Sequence, residues 1–353
     1  MTITAVFSLT PNKNEDVHPV HKNWMSSVSD QIAYLKYADL PNPINQTNLN
    51  GISQLIIDNA LPKSDIYIFE KPKHLYYLPI LKNQNPECEI IYIHASCRLL
   101  GSTRYPRDTW GWKWPIGVAE RELDGQLLKQ LIKKYVDGVI SVSDSLRNQI
   151  EKISNIPVEI VHPYVGNYAK ELLNLTYSSK SKRVTTLAEN RPRKGTKLLI
   201  DAWKQLPPKY DNYELHIAGR EQANRSVDDP NIIVHGFVDS IPEFLTNSAL
   251  HIHPAYCDPF PVSTLESMMA GIPTAVSEYS GTNTIVENID KNLILQPEVE
   301  SVTQTIQHFL SLDLESRNQI SEKGRQKSSE YQQATNQTDF ESGYRSLIDS
   351  INN

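Results

Sequence analysis

The stretch that most constrains this chain runs from His251 to Glu287, HIHPAYCDPFPVSTLESMMAGIPTAVSEYSGTNTIVE. It opens on an alternating apolar strand, Ala249 to His253. A Pro-rich turn follows, Pro254 to Pro261. A helix is predicted to start there, because Pro261 has a preset φ and no N–H to lose at a first helical position. Val262, Leu265, Met268 and Met269 recur at helical spacing. Gly271 ends the helix and Pro273 prevents its continuation. Ile272 to Val276 reads as the next buried strand.

This unit sets two carboxylates, Asp258 and Glu266, around a helix start, with seven residues between them. The N–H groups of Val262, Ser263 and Thr264 are expected to point out of the helix, where its dipole favours an anion. A diphosphate is the natural guest. Glu266, on the second turn, is placed to accept two hydrogen bonds from a ribose diol. Asp258 lies closer to whatever hangs beyond the phosphates. Taken alone, the unit fits an ordinary strand–turn–helix with solvated acids about equally well.

The wider pattern resembles the donor-binding signature of the retaining glycosyltransferases of family 4, glycosyl transferases group 1, which have the GT-B fold. That signature has two acids separated by seven residues, an aromatic–small pair after the first and a small-Gly-x-Pro run after the second. Here these are Asp258, Phe260-Pro261, Glu266 and Ala270-Gly271-Ile272-Pro273. The first acid is usually Glu and here it is Asp258. The resemblance runs from about Arg183 to Glu287.

The composition is that of a soluble globular protein with room for two domains: 353 residues, 39% hydrophobic and 22% charged. No apolar run is long enough to span a membrane. The start, MTITAVFSLTPNKNEDV, lacks a basic region and a long apolar segment, and reads as a first strand rather than a signal peptide. The 3 cysteines have no metal-like spacing, and so few suit a reducing cytoplasm. Cations balance acids through residue 166, so the net charge of -6 arises in the second half. No domain is strongly basic, which argues against nucleic acid as a partner.

In the first half, strands are expected at Ile3–Ser8, Ile66–Phe69, Glu89–Ile93 and Gly138–Val142, alternating with helices at about Lys22–Tyr37, Val118–Tyr135 and from Ser143 to Ile153. Such alternation predicts βαβ units and parallel sheets. His94 closes one strand, and ligands collect at the carboxyl ends of such strands. The stretch RLLGSTRYPRDTWGWKWPIG, Arg98 to Gly117, holds Trp110, Trp112 and Trp114 with Arg104 and Arg107. Alternating tryptophans in an extended segment share one side. A satellite core, an acceptor platform of aromatic faces and cations, and a membrane-surface contact all fit this composition.

The resemblance implies the rest. Residues 1–166 would be an N-terminal acceptor-binding Rossmann-like domain and 167–182 a linker. Residues 183–335 would be a C-terminal nucleotide-sugar-binding Rossmann-like domain, facing the first across a cleft. Residues 336–353 would be a helix able to cross back to the first domain. His94 would lie close to the donor sugar. Lys194 matches the lysine that neutralises the donor diphosphate. The arginine that accompanies it usually follows a glycine, and Ala188-Glu189 occupies that place. Arg191 or Arg193 must supply that cation, and Arg191 lies nearer the strand end. The first loop, SLTPNKNEDV, lacks the glycines common in the family.

The implied activity is transfer of a hexose from a nucleotide diphosphate sugar to a hydroxyl of a glycan, lipid-linked or other acceptor, with retention. His94, Asp258 and Lys194 would be catalytic. Arg191, Arg193, Val262, Ser263, Thr264 and Glu266 would join Asp258 and Lys194 in holding the donor. No metal is expected and no cofactor beyond the donor. A cytoplasmic protein with peripheral membrane contact fits this reading. A sugar-nucleotide 2-epimerase of the same fold and a catalytically weak nucleotide-sugar-binding assembly protein are the alternatives.

Overall fold

The computed structural model describes residues 1–9, 17–36, 61–100 and 114–352. They divide into two units, Met1–Pro163 with Ala334–Asn353, and Tyr164–Gln333.

The first unit carries β1 (Ile3–Leu9), α1 (Pro19–Val28), β2 (Gln31–Lys36), β3 (Ile66–Phe69), α2 (Leu78–Gln84), β4 (Glu89–His94), α3 (Trp114–Tyr135), β5 (Gly138–Ser141), α4 (Asp144–Glu151) and β6 (Val158–Ile160). Its sheet runs β2-β1-β3-β4-β5-β6, with every pair parallel. Parallel strands covered on both faces read as continuous apolar runs, and β3 and β5 are buried throughout. The expected helix over 22–37 stops at Val28. Residues 31–36 instead pair in register with β1, Phe7 opposite Tyr34. Asp30 secures the return: its carboxylate accepts the Ile3 N–H at 2.8 Å, and its own N–H donates to the Ile3 carbonyl at 2.9 Å. Pairing with β1 outweighs the local pattern of QIAYLK.

The helix Gln333–Ile351 packs mainly in this first unit. Phe340 stacks on Trp24, with centroids 5.2 Å apart and planes 3° from parallel. The Trp24 indole donates to Asn336 Oδ1 at 2.9 Å. Leu347 and Ile351 lie so close to Gly138 that a Cβ there would meet Ile351 Cδ1 at 2.8 Å.

The second unit carries α5 (Ala169–Leu173), β7 (Arg183–Leu187), α6 (Thr196–Trp203), β8 (Glu214–Ala218), β9 (Ile232–Gly236), α7 (Ile241–Leu245), β10 (Ser248–His253), α8 (Val262–Met269), β11 (Thr274–Ser277), α9 (Asn283–Glu287), β12 (Ile294–Leu295), α10 (Val299–Ser311) and α11 (Leu314–Ser328). Its parallel sheet runs β12-β11-β10-β7-β8-β9. The chain leaves β7 toward β8 and β9, then crosses to the other side of β7 for β10. Between β7 and β10 the winding reverses, which opens a crevice at their carboxyl ends.

Residues 167–182, expected as a linker, belong to this unit. Ala169 and Leu172 are buried. The Arg325 guanidinium donates to the Leu175 carbonyl at 2.6 Å and to the Ala270 carbonyl at 2.9 Å, tying the segment to the end of α8. Their polar composition suggested a free connection, whereas the buried apolar residues of α5 hold them down.

Candidate active site

The loop after β7 and the turn after β10 meet at the point where the winding reverses. Pro192–Lys194 forms one turn of 3-10 helix, and Gly195 follows with φ 73°. That left-handed conformation costs a glycine nothing. A Cβ at 195 would lie 2.1 Å from the Pro254 carbonyl oxygen, so the two loops touch backbone to backbone there. The Tyr256 N–H donates to the Arg193 carbonyl at 2.8 Å, a second clasp.

This approach places Lys194 on Asp258, with Nζ 2.5 Å from Oδ2. The same oxygen lies 2.8 Å from His253 Nε2, at the end of β10. The Asp258 backbone is anchored as well: its N–H donates to the Tyr279 carbonyl at 3.2 Å and its carbonyl accepts from Gly281 N–H at 2.8 Å. Burial alone would raise the Asp258 pKa. Lys194, His253 and Arg193 outweigh it and hold the carboxyl well below the usual carboxylate range. His253 is buried and its pKa is lowered, chiefly by desolvation, with Asp258 opposing and Lys194 and Arg193 reinforcing.

Of the two arginines, the structure turns Arg193 toward this cluster. Its Nη1 donates to the Cys257 carbonyl at 3.2 Å. Arg191 is 60% exposed in its side chain and lies 3.7 Å from Glu189. The preference for Arg191, based on distance from the strand end, is therefore reversed. The 3-10 turn folds the chain back, so the residue further along is the nearer in space.

The helix start differs from expectation at one amide. Pro261 is the N-cap and α8 begins at Val262. The amides of Val262 and Ser263 have no acceptor among the described residues. The Thr264 N–H donates to the Pro261 carbonyl at 3.2 Å, and the Thr264 hydroxyl to the same carbonyl at 2.7 Å. Thr264, buried and also bonded to the Thr282 hydroxyl, braces the turn and offers no free donor to an anion.

Glu266 is buried on the second turn, where Tyr168 donates its hydroxyl to Oε1. Desolvation pushes its pKa up to about 7, with the Tyr168 bond partly opposing. Among the described residues Oε2 accepts no hydrogen bond and remains available to a ligand hydroxyl.

His94 lies in the first unit, as the last residue of β4. It is buried, and neither ring nitrogen has a hydrogen-bond partner among the described residues. Burial lowers its pKa to about 4, and the Gln149 side chain, near the ring but short of hydrogen-bond geometry, opposes the shift. Arg104, Arg107, Trp110 and Trp112 lie outside the described residues. Trp114 is the first residue of α3, and its side chain lies outside them as well.

Two contacts were not singled out from the sequence, His253 to Asp258 and Tyr168 to Glu266. The first joins residues 5 apart, and a histidine closing the strand before an acidic turn was a legible hint. The second joins residues 98 apart, and no local signal announces it.

The structure thus brings together a loop lysine and a turn carboxylate beside a helix start, with a second carboxylate on that helix. Residues 173–327 match the family model of glycosyl transferases group 1. No curated protein sequence matches the chain. Sucrose-phosphate synthase from Thermosynechococcus elongatus superposes with a TM-score of 0.70 at 13% identity, covering 99% of this chain and 100% of that one. HepE from Anabaena, solved in complex with UDP, superposes with a TM-score of 0.69 at 13% identity over 98% and 100%. Trehalose 6-phosphate synthase from Burkholderia multivorans gives 0.65 at 10% identity over 99% and 97%. The family match covers most of the second unit, and the chain has the GT-B fold. No helix among the described residues is long and apolar enough to cross a membrane.

Proposed function

We propose that this protein transfers a hexose from a nucleotide diphosphate sugar to a hydroxyl group, with retention at the anomeric carbon. The observation that carries this reading is the Lys194–Asp258 pair at the start of α8, at 2.5 Å, inside the segment that matches the family. Two protons of the Lys194 ammonium remain for a diphosphate. Arg193 and the amides of Val262 and Ser263 add positive potential where negative charge grows on the leaving group. Asp258 holds the sugar hydroxyls and Glu266 the ribose. No side chain here is placed as a covalent nucleophile. The bond from the anomeric carbon to the phosphate oxygen breaks, the acceptor oxygen bonds the same face, and its proton passes to the departing phosphate. The side-chain cations and the helix start supply the charge that a metal would otherwise carry, so turnover is expected to survive chelation. The acceptor is a hydroxyl of a glycan or lipid-linked glycan. The tryptophans and arginines of residues 98–117 support that choice, and a lipid-linked acceptor would bring the protein to a membrane surface.

The HepE structures contain UDP and UDP-glucose, which makes uridine nucleotides the first donors to try. A melting screen against UDP-, GDP-, ADP- and CMP-sugars tests the reading. A donor at 100 times its Kd should stabilise the protein by about 2.7 kcal/mol. Product anomeric configuration by NMR then tests retention, and donor incubated alone reveals any epimer. No thermal shift with any nucleotide sugar, or an inverted product, would overturn the proposal.

A further inference from the structure

The geometry points to His253 as a positioning residue that fixes the orientation of the Asp258 carboxylate toward the donor sugar. This inference rests on the reading of Asp258 given above and adds a residue to it.

His253 ends β10, opposite Val276 of β11, and its side chain is 1% exposed. A ring held in that way has little freedom. Its Nε2 lies 2.8 Å from Asp258 Oδ2. An ionised carboxylate only accepts hydrogen bonds, so the hydrogen lies on Nε2. The other nitrogen, Nδ1, is buried and has no hydrogen-bond partner among the described residues. A neutral ring protonated at Nε2 fits both facts, with a bare lone pair at Nδ1. Burial most disfavours a cation on this ring, Asp258 favours one, and Lys194 and Arg193 disfavour one; His251, also buried, has its own pKa lowered by burial and by His253.

Lys194 and His253 both donate to Oδ2, and Oδ1 accepts nothing among the described residues. One oxygen is thus held by two donors and the other is left for substrate hydroxyls. Lys194 reaches its oxygen on a flexible four-carbon stem and is itself wanted by the diphosphate. His253 is rigid, buried and out of substrate reach. It keeps the carboxylate plane in place when Lys194 turns to the phosphates. Aspartate is one methylene shorter than the glutamate usual at this position. A rigid donor behind it lets a short side chain present a defined oxygen.

Imidazole nitrogen NMR of the intact protein is the first test, with His253 assigned by its loss in His253→Gln. The expected result is the Nε2–H neutral form, unchanged between pH 5 and 8. An Nδ1–H form, or titration in that range, overturns the inference. UDP release from UDP-glucose is then compared in wild type, His253→Leu, which lacks a donor, and His253→Gln, whose amide can donate at similar reach. His253→Leu should lose about tenfold to a hundredfold in kcat. Its Kd for UDP, by calorimetry, should stay within about twofold, because a misplaced sugar contact leaves diphosphate binding intact. His253→Gln should recover most of the lost kcat. A folded His253→Leu with wild-type kcat, or equal loss in both variants, overturns the inference. If His253→Leu does not fold, the tautomer and the kcat of His253→Gln decide, and a loss beyond about tenfold in the latter counts against it. A wild-type protein that neither binds UDP nor releases it from UDP-glucose counts against the proposed uridine-sugar activity. The tautomer would still report whether His253 donates to Asp258.

Discussion

The turn after β10 and the second turn of α8 each bury one carboxyl group, and they do opposite things to it. Asp258 is surrounded by Lys194, His253 and Arg193 and stays ionised. Glu266 is hydrogen-bonded, among the described residues, to one tyrosine hydroxyl, and burial raises its pKa to about 7. Environments that push two nearby carboxyls apart assign them different tasks. Asp258 is held as a fixed negative charge by its neighbours. Glu266 is an adaptable acceptor whose charge depends on what sits beside it.

The comparison breaks most visibly if each site loses its partner. Lys194→Met strips the ammonium from a buried carboxylate. Removing one member of such a pair should destabilise the protein by about 3–5 kcal/mol in urea unfolding. A loss below about 1 kcal/mol would mean that Asp258 is effectively solvated. Glu266 should behave in the opposite sense. Its folded pKa lies above its unfolded value, so its contribution to stability is full below pH 4.5 and is lost as pH rises through about 7. Wild type should lose about 3 kcal/mol over that window relative to Glu266→Gln. Parallel stability curves for the two proteins would refute the raised pKa.

Ligand binding sharpens the contrast further. Glu266→Ala should weaken binding of a nucleotide sugar by about 1.5–3 kcal/mol in calorimetry, because a ribose diol loses its acceptor. Unchanged affinity would take the ribose away from this helix. The smallest effect separates the two arginines. Arg193→Ala should raise the turnover barrier by about 1 kcal/mol, whereas Arg191→Ala, exposed beside Glu189, should change the rate by less than about twofold. The reverse order would restore the reading made from strand-end proximity.

What was legible in the chain follows from how local each contact is. The two acids, the helix that carries the second and its glycine stop lie within 258–273, and the resemblance to the family rested on that compact motif. The parallel sheets were legible because short apolar strands such as β3, β5 and β11 alternate with helical segments. QIAYLK was misread because pairing with β1 decides its conformation. Arg193 was ranked behind Arg191 because sequence does not reveal the single 3-10 turn and the φ of Gly195 that turn Arg193 toward Cys257. Thr264 was counted as an anion donor because sequence does not reveal that its amide and hydroxyl both return to Pro261. Tyr168 was invisible inside a stretch whose polar composition suggested a linker.

The discontinuity of the first unit has a consequence during synthesis. The second unit is one continuous run, Tyr164–Gln333, and has all its strands once that run has left the ribosome. The first is begun earlier and finished later. Until residues 334–352 are made, the Trp24 indole lacks both Phe340 and Asn336, and the approach to Gly138 is uncovered. Vectorial folding normally favours the segment made first. Here the unit begun first is completed only after the second unit has been made.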